Sequence, residues 1–92
     1  MNGSQRIAAE RQRQIDVEGY VHEHDDDHDR DEIADAAACY ASRNRSMWPW
    51  VNQPNLVERP TIEQRVRELE KAGALIAAEI DRLLRVAARG GE

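Results

Sequence analysis

The residues best suited to chemistry lie in one stretch. Residues 22–32 read HEHDDDHDRDE, with seven acids, three histidines, one arginine and nothing apolar. At the end of that stretch Glu32 and Asp35 stand at i and i+3 on one face of a predicted helix, and Glu18 is available as a further oxygen ligand. Carboxylates so spaced suit a hard cation such as Mg²⁺. His24 and His28, interleaved with acids, are the residue types for Zn²⁺ or another transition metal, although they share a face only if the stretch is helical. A second chemistry is electrostatic. Glu23, Asp25, Asp26, Asp27, Asp29 and Asp31 form an acidic strip that can face a basic surface on a partner. The plain alternatives are a solvated charge run and an acidic first turn complementing a helix dipole.

Both tryptophans fall in Met47-Trp48-Pro49-Trp50. Large rigid rings of this kind anchor protein interfaces, so Trp48 and Trp50 are candidate partner anchors. They equally suit closing the open end of the chain's own core, and a nucleotide base stacked on one ring is a third use. Cys39 reads as a small buried residue. No phosphate-cradling glycine loop and no Ser/His/Asp pattern is present, so no catalytic residue is assigned, the expectation leans away from an enzyme, and no cofactor is expected.

These residues need a scaffold, and its size is limited. Ninety-two residues make one domain, and with 40% hydrophobic residues, no Phe and 13 Ala the apolar content is mostly small. A chain this short on bulk is expected to complete its core by homo-oligomerisation or with a partner. The net charge of -5 arises entirely in residues 1–46, which hold 11 acids against 6 bases. That balance disfavours direct DNA binding and favours a protein with a basic surface. A single cysteine excludes an internal disulfide, and with no apolar run of membrane-spanning length and no signal peptide the expectation is a cytoplasmic protein without membrane contact.

The periodicity predicts three helices. The first spans residues 5–18, capped by Ser4, packed through Ile7, Ala8, Ile15 and Val17, and stopped by Gly19. An acidic loop follows at 19–30. Ile33, Ala36, Ala37 and Tyr40 stand at i, i+3, i+4 and i+7 and predict a helix over 31–43, with Asp29 and Asp31 as caps. Prolines and asparagines make 44–60 a connector. Thr61 with Gln64 forms a capping box ahead of a helix over 61–88. In it Ile62, Val66, Leu69, Gly73, Ile76, Ile80, Leu83 and Ala87 keep a 4,3 spacing, a coiled-coil-like seam. Leu75 and Leu84 widen the stripe. Either the two shorter helices lie along that seam or two copies pair there. Gly73 marks close approach by a neighbour or room for a ligand, and Arg89, Gly90 and Gly91 end the helix. The fold class is therefore all-α, two shorter helices packed on one long C-terminal helix in a small bundle.

Two resemblances bear on these motifs. The run ERQRQIDVEGY, the HDDDH segment before an alanine-rich helix with Tyr40, WPW, and KAGALIAAEIDRL together resemble small proteins carried by tailed phages and prophages. That likeness implies an accessory protein acting on host machinery or on small-molecule signals. Glu32-x-x-Asp35 resembles one motif of the MazG-like all-α nucleotide pyrophosphohydrolases, which set a Glu-x-x-Glu helix against a Glu-x-x-Asp helix around Mg²⁺. The first motif has no counterpart here, since the first helix offers only Glu10 and Glu18. The leading expectation is a non-catalytic protein that binds and inhibits a host target through the acidic strip and the two tryptophans. The alternatives are a Mg²⁺-dependent pyrophosphohydrolase and a protein that sequesters a nucleotide signal, gripping phosphate with arginines of the first or last helix.

Overall fold

The computed structural model describes residues 1–90. Gly91 and Glu92 lie outside the described residues, and with them the end of the expected tail. The chain is all-helical, with no strand among the described residues: α1 (Gly3–Asp16), α2 (His22–Asp26), α3 (Glu32–Ser42), a 3₁₀ turn (Arg45–Met47) and α4 (Ile62–Ala88). At 1.5 Å per residue α4 is about 40 Å long, and it sets the long axis of a molecule measuring 44 × 31 × 20 Å. The other three helices all pack against it.

Each helix boundary has a local cause. Thr61 and Gln64 close the predicted capping box, Thr61 Oγ1 accepting from Gln64 N at 3.1 Å and Gln64 Oε1 from Thr61 N at 2.9 Å. The same device, unread in the sequence, starts α1: Asn2 Oδ1 accepts from Gln5 N at 2.9 Å and Gln5 Oε1 from Asn2 N at 2.8 Å. Asn2, not Ser4, is therefore the cap. Gly19 leaves the helix at φ +75°, and Tyr20 N turns back to donate to Gln14 O at 3.0 Å. The acidic loop is partly helical, because α2 occupies five of its residues. Asp31 does not cap α3; it takes a left-handed φ of 63°, and its side chain makes no capping bond. At the other end Arg65 of α4 satisfies the carbonyls that α3 leaves open, donating to Tyr40 O at 2.9 Å and Ala41 O at 2.5 Å.

The core is thin and centred on the α3–α4 contact: Ile33, Ala36, Ala37, Leu75 and Ala78 are buried, with Tyr20, Tyr40, Trp48 and Trp50 packed around them. Small side chains let the two backbones close up. The predicted seam is not what the shorter helices cover. Ile62, Leu69, Ile76, Ile80 and Leu83 are exposed, while the buried residues of α4 are Glu68, Ala72, Ala74, Leu75, Ala78, Glu79 and Arg82. Leu84, expected to widen the buried stripe, is exposed as well. Gly73 is the seam position that meets a neighbour. A Cβ there falls 2.6 Å from Ile7 Cδ1 and 2.8 Å from Ile7 Cγ1, so the close-approach reading of Gly73 is met by α1. Elsewhere on α1 the expected packing residues give way: Ala8 and Val17 are exposed, and the residues it buries are Glu10 and Gln14.

Candidate functional site

The segment expected to present an acidic strip is divided by burial. Asp25 is 1% exposed, its carboxylate 3.6 Å from Arg11 Nη2 and 3.2 Å from His24 Nδ1. Asp26 pairs with Arg85 at 2.9 Å, which holds its carboxyl below the usual carboxylate range. These two acids staple α2 to α1 and α4, Asp25 buried and Asp26 a third exposed beside Arg85. Glu23, Asp27, Asp29 and Asp31 remain exposed and form the acidic edge that the structure leaves open.

The carboxylates and histidines considered for a metal are engaged separately. Glu32 Oε1 accepts from Arg30 N at 2.7 Å and Glu32 Oε2 lies 3.2 Å from His28 Nδ1, contacts that lower its pKa. Asp35 follows one turn later on α3, and Glu18 pairs with Arg13 at 3.3 Å. Among the described residues no three His, Cys, Asp or Glu side chains are gathered to hold a metal ion.

The histidines instead join a run of rings. Tyr20 stacks on His24 with centroids 4.7 Å apart and planes 14° apart, His24 meets His28 at 4.8 Å, and His28 meets Trp50 at 5.1 Å. Trp50 meets Trp48 edge to face at 5.1 Å, and Trp48 meets Tyr40 at 5.7 Å. Lys71 Nζ caps the run, 5.7 Å from the Tyr40 centroid. The tryptophans, candidate anchors that equally suited closing the chain's own core, rest on that core, and both indole nitrogens are buried. The loop and the connector, far apart in sequence, are brought together by their rings.

Beneath the rings α1 supplies a polar wall that sequence reasoning missed. Glu10, 3% exposed, receives Arg13 Nε at 2.8 Å and Arg67 Nη1 at 2.6 Å on one oxygen, and Arg13 Nη2 at 2.9 Å on the other. Burial works against its charge, but these arginines prevail and bring its pKa down to about 2. Gln14 Nε2 donates to the same carboxylate at 3.2 Å. The signal available was spacing: Ile7, Glu10 and Gln14 stand at i, i+3 and i+7, one helical face. Between this wall, the rings and α4 lies a cavity of ≈ 90 Å³, lined by Glu10, Gln14, Tyr20, Tyr40, Trp48 and Trp50, with Lys71 and Leu75 of α4. Burial raises the pKa of both tyrosines, Tyr40 to about 12, so their phenols are neutral. Cys39, fully buried and with its thiol pKa raised by burial, is no nucleophile.

The opposite side of α4 is apolar and uncovered. Ile80 stands nine residues from Lys71, about two and a half turns, and so points away from the cavity. Ile76 and Ile80 border a groove against Ala34, Ala37, Ala38 and Ala41 of α3. No helix of the described residues is long and apolar enough to cross a membrane. No protein-family model, curated protein or solved structure matches this chain.

Proposed function

We propose that this chain is a non-catalytic binding protein that docks on another protein through the outer face of α4, with the acidic edge beside it. One observation carries the reading: Ile62, Leu69, Ile76, Ile80, Leu83 and Leu84, all on one helix, are between 44% and 85% exposed. Contiguous apolar surface of this kind on a small protein marks an association site. The occupant that fits is an amphipathic helix laying apolar residues into the groove between α3 and α4. Its polar side is basic, because Asp31 and Asp35 stand within the same turn as Ala34 at one end of that groove, and the chain carries a net charge of -5. The resemblance of the sequence motifs to small phage-carried proteins would imply a host protein as the partner and its inhibition as the outcome. The aromatic anchors of the sequence reading are replaced by isoleucines and leucines, and the acidic strip contracts to Glu23, Asp27, Asp29 and Asp31.

A second copy is the other occupant with an observation in its favour, since the 4,3 spacing from Ile62 to Leu83 is the pattern of a self-pairing helix. Sedimentation of the parent and of Ile76→Asp/Ile80→Asp separates the two. A parent that sediments as a monomer and retains a host protein that the double variant releases supports the docking reading. A dimer abolished by the same change assigns the face to self-association, and a host protein held equally by both proteins overturns the proposal.

A further inference from the structure

The first half of α4 borders a larger space, apart from the docking groove. Gln64, Arg67, Glu68 and Lys71 stand at i, i+3, i+4 and i+7, and with Tyr40 and connector residues 54–57 this one helical face lines ≈ 320 Å³. The connector wall is fixed in place. Arg43 donates to Val57 O and Arg45 to Leu56 O, and Leu56 is buried, so residues 56 and 57 are tied to the turn that follows α3. Pro54, Leu56, Val57 and the Tyr40 ring make one side of the space apolar.

Charge on the other side does not balance. Every arginine that the fold covers, from Arg11 on α1 to Arg85 on α4, has a carboxylate oxygen 2.6 to 3.6 Å away. Lys71, the chain's single lysine, is half-buried like them and has no such partner among the described residues; its ammonium lies over the Tyr40 ring, 5.7 Å from the centroid. The neighbouring charges are already committed. Arg67 holds Glu10 at 2.6 Å and Glu70 at 3.1 Å, and Glu68 accepts from Arg43 at 2.9 Å and Arg65 at 3.0 Å. A half-buried ammonium without a counter-charge is the group in this wall that an anion from outside the chain would satisfy.

The space limits which anion fits. At roughly 30 Å³ for each water-sized group, ≈ 320 Å³ holds about ten such groups, so a whole small molecule fits, whereas an inorganic ion leaves the apolar wall uncovered. A phosphate ester is the poorer match, because the planar fork of an arginine grips it best and Arg67 is already paired with two glutamates. A neutral apolar molecule leaves the ammonium unmatched. One carboxylate on a compact apolar body meets both sides.

We propose that the space between residues 54–57, Tyr40 and the first half of α4 binds a small organic monocarboxylate, its carboxylate accepting from Lys71 and its apolar body lying against Tyr40 and Val57.

Because Lys71 is the only lysine, protein labelled with ¹³C-lysine gives a single Cε signal that reports on the proposed contact. The probes are benzoate and hexanoate, with benzamide and inorganic phosphate as controls, and calorimetry measures the affinity of each variant. Saturable movement of the signal with benzoate or hexanoate is expected, with neither control binding as tightly. Lys71→Met is expected to weaken binding about tenfold, the loss of one charge-assisted hydrogen bond, and Val57→Glu, which sets a carboxylate in the wall, to weaken it likewise. Should Lys71→Met not fold, Val57→Glu decides the matter. A signal that neither acid moves overturns the proposal. So does benzamide or phosphate binding as tightly as the acids, and so does an affinity that neither substitution lowers. Ile76→Asp, on the outer face of α4, leaves the titration unchanged, so this result and the docking result stand or fall separately.

Discussion

The two faces of α4 invert the usual distribution of side chains. The inner face buries Glu68, Glu79 and Arg82 among alanines and one leucine, while the outer face exposes isoleucines and leucines. Charge is tolerated inside because each group is paired. Glu79 and Arg82 make two parallel bonds of 2.7 and 2.9 Å, and Glu68 receives Arg43 at 2.9 Å and Arg65 at 3.0 Å. Most of the bulk lies outward because α3 meets α4 largely through alanines, with Ile33 and Leu75 the only larger residues of the buried cluster between them. The difference teaches that the fold uses one stripe of the helix and leaves the stripe richest in apolar volume exposed.

The sharpest way to break that comparison uses one residue type on both faces. Leu75→Ala, on the inner face, is expected to cost about 2–5 kcal/mol in denaturant unfolding, since it opens a cavity in a core with little else to fill it. Leu83→Ala, on the outer face, is expected to change the same measurement by less than about 0.5 kcal/mol. Equal losses at both positions mean that the outer face is covered in solution.

The next effect concerns the ion pairs of the inner wall. Glu10 has its pKa lowered from 4.5 to about 2, so its contribution is complete above pH 4.5 and disappears as the pH falls through about 2. Its size is at most about 3 kcal/mol. Glu10→Gln is expected to lower stability at neutral pH and to flatten the loss of stability between pH 4.5 and 2. An unchanged acid limb in unfolding curves means that other carboxylates carry it. Smaller again is Gly73→Ala. Helix propensity favours it by about 1 kcal/mol, but the new Cβ meets three atoms of Ile7, a branched side chain with little freedom to yield. A net loss of about 1 kcal/mol is expected, with Ile7→Ala in the same chain recovering the propensity gain. A stabilised single variant means that α1 is free to shift along α4.

Much of the scaffold was legible because it is written locally. The capping box at Thr61 and Gln64, the apolar period from Ile33 to Tyr40 and the stop at Gly19 each involve residues a few positions apart. The same logic, applied two residues earlier, would have found Asn2 and Gln5. The candidate sites were legible only as residue types. Trp48 and Trp50 were singled out, yet their sequence carries no sign that they rest on His28 and Tyr40. Asp25 and Asp26 read like their acidic neighbours, although the arginine that holds Asp26 lies 59 residues away.

By itself the sequence determined an all-helical chain with a long last helix, too little bulk for a deep core, and all its excess negative charge in the first half. Hydrogen bonds within a helix, caps and composition suffice for that, since they depend on spacings of three or four residues. Only the tertiary structure decided which stripe of α4 faces inward, which acids are paired, and that Gln14, Trp48 and Trp50 enclose one cavity. A periodic apolar stripe states that a face seeks cover without stating what covers it. Alanines on α3 and arginines on α1, on α4 and at Arg43 just past α3 made the polar stripe the better inner face, a choice that exists only when distant segments meet.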